Sequence, residues 1–74
     1  METYTTFNQS MANAAAIAGA TGADYQKLND AARAAGKATS FTAAESADAL
    51  GYMALAGWDV ATSTKALTPV LKLA

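Results

Sequence analysis

The chain has 74 residues, a formal charge of −1 and 53% apolar side chains with alanine prominent among them, so it allows one small domain without deep pockets. An isoelectric point near 4.9 works against nonspecific attraction to phosphate backbones. The absence of cysteine and histidine removes disulfides, thiolate metal sites, the commonest metal ligand and the usual general base near neutral pH. A domain this small buries only about 60% of the surface its unfolded chain exposes, so marginal stability is expected. No basic stretch precedes an apolar core, which argues against a signal peptide. The uncharged run from Thr3 to Ala23 contains Asn8, Gln9, Ser10 and Asn13. It falls short of the about 20 mostly apolar residues that a membrane span needs.

The punctuation of the sequence predicts four helices and the start of a fifth. The first runs from about Thr5 to Ala18, with Phe7, Met11, Ala14 and Ala18 on one stripe and Gly19 as a left-handed stop. Thr21 and Asp24 form a candidate capping box for the second helix, Gly22 to Ala35. Its apolar face is Tyr25, Leu28, Ala32 and Ala35, Gly36 ends it, and Lys27 and Asp30 are spaced to pair on its wet side.

The stretch T-A-A-E, Thr42 to Glu45, is the strongest capping box in the chain and opens a third helix from Ala43 to about Ala56. Ala43, Ala47, Leu50 and Ala54 give its stripe, Met53 and Leu55 widen it, and Gly57 closes it. Asp59 caps a fourth helix from Val60 to about Leu67. Pro69, preceded by Thr68 as a cap, fits the first turn of a fifth helix, V-L-K-L-A. That helix is still apolar where the chain stops, as expected of a segment belonging to something longer. The fold class predicted is all-α: a single bundle of four to five short helices over residues 1–74. Its apolar end at Val70, Leu71 and Leu73 is expected to be covered by self-association.

Trp58, the sole tryptophan, follows Gly57 directly and stands between two helices. A large ring at a corner is expected to wedge the third and fourth helices together, buried against Leu50, Met53 or Leu67. The other reading is an exposed anchor for a partner or a membrane, places where tryptophan is favoured.

The candidate carboxylates are Asp24, Asp30, Glu45, Asp48 and Asp59. Glu45 and Asp48 lie three apart on one helix and could share an ion, but a cap and a wet helical face account for both. The stretch G-A-T-G-A-D lacks the lysine and the preceding strand of a phosphate loop. No group stands ready to activate the many serines and threonines. No catalytic, cofactor-binding or metal-ligating residue is therefore assigned, no cofactor is called for, and no enzymatic activity is expected. Residues 41–67 also read as a helix-turn-helix, the alternative considered. Its second helix offers Lys65 and small hydroxyls beside Asp59, where a recognition helix presents Arg, Lys, Asn or Gln to base edges. The same shortage of cations argues against a membrane-active amphipathic helix.

Read in order, A-I-A-G-A-T-G-A-D-Y-Q-K-L, then T-S-F-T-A-A-E, then L-A-G-W-D-V and K-A-L-T-P-V-L-K-L-A resembles the N-terminal core region of phage tail tape-measure proteins. The matching positions are Ile17 to Gly22, Tyr25, Leu28, Ala32, Gly36, Thr39 to Glu45, Ala54 to Trp58, and Ala66 to Ala74. The likeness covers nearly the whole chain from Phe7 onward, and its specificity lies in the ordered set rather than in any one piece. Two positions depart from it. Ser46 stands where alanine is expected, harmless at an exposed position, and Thr68-Pro69 shifts the proline by one residue. The resemblance implies a structural component of a phage or prophage tail that occupies the tube, templates its length and leaves during DNA delivery. It implies other tail proteins as partners and the virion as location, with the host cytoplasm during assembly. No specific nucleic acid is expected as a partner, and membrane contact is not indicated by this segment.

Overall fold

Four helices occur among the described residues: α1 Glu2–Ala18, α2 Ala23–Ala38, α3 Ala43–Leu55 and α4 Val60–Leu73. The computed structural model describes residues 2–73, with side chains from Thr6 onward. The all-α expectation holds, and no strand occurs among the described residues.

Two helices end as their glycines predict. After α1, Gly19 takes φ 68°, the Ala20 amide donates to the Ala15 carbonyl at 2.9 Å, and the Gly19 amide to Ala16 at 3.4 Å. After α3, Gly57 takes φ 90°, the Trp58 amide donates to Met53 at 3.1 Å, and the Gly57 amide to Ala54 at 3.0 Å. This paired pattern satisfies the last carbonyls of a helix through a left-handed residue. The start of α3 is equally well specified. The Glu45 amide donates to Thr42 Oγ1 at 3.0 Å while the Thr42 amide donates to Glu45 Oε1 at 2.8 Å, a complete capping box.

Other boundaries differ from the expectation. Glu2 rather than Thr5 begins α1. The Thr21–Asp24 box does not form: Gly22, at φ 57°, is the residue before α2, and no side chain caps it. The cap position is thus Gly22, one residue beyond Thr21, which contributes only its backbone carbonyl to the Asp24 amide, at 3.1 Å. Gly36 does not stop α2. The helix runs through it to Ala38, and Thr39 closes it with amide and hydroxyl both donating to the Ala35 carbonyl, at 3.0 and 2.7 Å. Asp30 accepts from Gln26 at 2.9 Å, one turn back, rather than pairing with Lys27.

The predicted break before Pro69 is also absent, and α4 is continuous from Val60 to Leu73. Pro69 lies on the exposed side and has no amide proton for the Lys65 carbonyl. Leu67 and Leu71, buried on either side of it, hold the ladder through the defect. Val70 and Leu73 are exposed, whereas Leu71 is part of the core.

Packing follows the stripes. Met11, Leu28, Leu50 and Leu67 are the largest fully buried apolar side chains, joined by Phe7, Met53 and Leu71 and by alanines from the first three helices. The central helix is α3; α1 packs mainly on it and hardly on α2, while α2 also packs on α4. Small residues make these crossings close. A Cβ added at Gly36 would lie 2.9 Å from the Ala43 nitrogen and 3.0 Å from its Cα, so α2 passes the first turn of α3 only because Gly36 has none. Ser46 is fully buried rather than exposed, and its hydroxyl donates to the Thr42 carbonyl at 2.9 Å. Arg33 covers the Phe7 ring at 5.0 Å from its centroid, steered by a 2.9 Å bond from its Nε to Asn29. The radius of gyration, 10.8 Å, is close to the about 11 Å of a compact chain this long.

Candidate interaction surface

The helical period that buries Ala47, Leu50 and Gly51 turns Glu45, Asp48, Tyr52 and Leu55 outward on α3. Tyr52 is 72% exposed and Leu55 68%. Leu55 was expected to widen the buried stripe; instead it closes the outward one, on the face away from Leu50.

Two hollows flank this row. Between α1 and α3 lies one of about 170 Å³, lined by Asn13, Ile17, Asp48, Gly51, Tyr52 and Leu55 among others. It exists because Ala14 and Gly51 meet there without enough side chain to fill the space; a Cβ on Gly51 would stand 3.7 Å from Ala14 Cα, in ordinary contact. On the other side lies one of about 270 Å³, bounded by Phe41, Glu45, Asp48, Ala49, Tyr52 and Leu71. Asp48 and Tyr52 line both, so they form a ridge with an aromatic crest and an acidic shoulder. A third hollow, at the Gly36 crossing, is lined by Arg33, Gly36, Lys37 and Ala43.

Trp58 is not the expected wedge. It is 42% exposed and lies outside the core. Its place is set by the backbone: the residue after the left-handed glycine turns back along α3 with its amide on Met53. Leu50, Met53, Leu67, Ser46 and Ser63 are buried without it, so no ring is needed between the two helices. The exposed-anchor alternative fits this position.

The carboxylates are spread among separate tasks. Glu45 completes the capping box, and Asp48 stands on the ridge. Asp24 and Asp30 lie on the wet face of α2. Asp59 Oδ1 accepts from the Thr62 amide at 2.7 Å, as a cap of α4 should. The side-chain hydrogen bond with Thr62, and then this amide, hold the Asp59 carboxyl below its ordinary range. No three acidic residues gather into a metal-sized group among the described residues.

No family model, curated protein or solved structure matches the chain. The likeness to tape-measure proteins therefore rests on the residues themselves.

The row 45, 48, 52, 55 was open to view in the sequence, spaced by three, four and three. In the sequence Glu45 and Asp48 read as a carboxylate pair and Leu55 as part of the core stripe, so spacing alone does not join the four. The outward placement of all four is the signal that joins them.

Proposed function

We propose that this chain is a structural segment of a phage or prophage tail tape-measure protein, acting through packed helical surfaces rather than through a reaction. One observation carries the proposal. Several of the residues that bear the resemblance are ones on which the fold turns: Gly19 and Gly57 at helix ends, Thr42 and Glu45 at a helix start, and Gly36 at the closest crossing. A pattern of that kind preserves a scaffold. The ridge of Asp48 and Tyr52 gives such a scaffold a side for neighbours.

The experiment is done on particles. Tails from a lysogen or phage that encodes this sequence should contain its peptides by mass spectrometry, and should lose them after DNA ejection. In-frame removal of residues 1–74 should leave tails absent or of altered length. Tails of normal length and composition without the segment would overturn the proposal.

The helix-turn-helix reading keeps one favourable observation, the order α3, a turn over residues 56–59, then α4. Against it, the outward face of α4 sets Thr62 and Pro69 among its two lysines, and Asp59 stands at the end that should approach bases. A mobility-shift assay with duplex DNA at about 0.1 M salt should show no retention. Sequence-selective retention in the nanomolar range, where specific binders operate, would favour the DNA-binding reading instead.

A further inference from the structure

We infer that the outward face of α3 is a docking strip for the outward face of α4 in a second copy of this chain. The inference does not depend on the tape-measure reading. On α3 the outward row is Glu45, Asp48, Tyr52 and Leu55, and the helix carries no cation anywhere along it. On α4 the outward row is Thr62, Lys65, Pro69 and Lys72, with Leu73 beside it at 89% exposure, and that helix carries no acid. Both rows are spaced by three, four and three, so each lies along one face of its helix.

The two strips also match in size. Helices of 13 and 14 residues are each about 20 Å long at about 1.5 Å per residue, so one covers the other without overhang. Laid antiparallel, Lys72 falls opposite Glu45 and Lys65 opposite Tyr52, where an ammonium meets an aromatic face. Laid parallel, Lys65 falls opposite Asp48 and Pro69 opposite Tyr52. In either direction a lysine meets an acid, and Leu55 and Leu73 leave water. Pairing α3 with another α3 would instead set two net-negative rows side by side, and pairing α4 with α4 two net-positive rows, so the sign of the rows favours the cross pairing. A net charge of −1 sets little long-range repulsion against the approach of a second copy.

The test is sedimentation equilibrium of the full chain and of two variants, Asp48→Lys and the double variant Lys65→Glu with Lys72→Glu. All three positions are exposed, so both variants should fold, which circular dichroism verifies. The wild type should associate, and added salt near 1 M should weaken it. Each variant alone should associate about tenfold or more weakly. Mixing the two variants in equal amounts should restore association, because the acidic α3 of one chain again meets the basic α4 of the other. A wild type that stays monomeric at millimolar concentration overturns the inference. So does a pair of variants that associate like the wild type, or a mixture no stronger than its components.

Discussion

A methyl group at Gly36 would press against the backbone of Ala43 at 2.9 Å, where neither helix has a flexible side chain to move aside. Alanine there gains up to about 1 kcal/mol of helix propensity. It loses about 1–3 kcal/mol to overpacking, so Gly36→Ala should be destabilising by denaturant titration. Gly51→Ala should go the other way. Its new methyl would sit 3.7–4.0 Å from Ala14 and Ile17, in ordinary contact, and the propensity gain of up to about 1 kcal/mol should survive. Equal stability of the two variants would mean that the α2–α3 crossing is looser than described. Trp58 offers a second residue-scale test. A fully buried tryptophan truncated to alanine loses about 3–5 kcal/mol, but an indole left 42% exposed should lose less than about 2 kcal/mol. Native emission should already be red-shifted. A blue-shifted spectrum with a collapse of the melting point on Trp58→Ala would reinstate the wedge.

At the scale of the helix, ends were legible wherever a side chain and a backbone amide settle the matter locally. T-A-A-E, Gly19, Gly57 and Asp59 each do so within a few residues. Gly36 and Pro69 misled for a shared reason: their roles depend on something outside the local run. Gly36 is small because another helix passes it. Pro69 is tolerated because Leu67 and Leu71 are anchored from elsewhere. Restoring the missing donor with Pro69→Ala should therefore stabilise α4, by up to about 3 kcal/mol, read as a higher melting temperature. Acid should weaken the opposite end of the same helix. Because its folded-state pKa is lowered, the contribution of Asp59 is fully present above the ordinary value of 3.8 and is lost as pH falls through the lower folded value. Asp59→Asn keeps an acceptor without a titrating group. The stability of wild type relative to this variant should decline as pH falls from about 5 towards about 2. A constant difference over that range would show that the Thr62 bonds do not favour the ionised form.

Across the whole molecule, the chain builds a core from a handful of large side chains by letting alanine, glycine and serine bring backbones close. The predicted fifth helix is the end of α4, while the all-α class and the first three helices came within reach of composition and punctuation. Which helix lies beside which did not, because an alanine stripe fits any neighbour. The candidate surface shared that obscurity. Tyr52 and Leu55 look like core in one dimension, and only the flanking positions of α1 and α4 leave them on a ridge. A fold this lean is expected to be marginal alone. Coupling to a second copy should make its melting temperature rise with protein concentration.

The preference of α1 for α3 over its sequence neighbour α2 also has a temporal side. During synthesis α1 emerges first, yet the helix it needs follows only after all of α2 has been made. At about 5–20 residues per second that interval is on the order of seconds, long compared with helix formation itself. Through this interval Met11 has no lasting cover, and Phe7 has only what Arg33 of α2 supplies. The earliest part of the chain thus depends on one of the later parts, and whatever meets a nascent α1 first, whether a chaperone or a neighbouring chain, meets its future core.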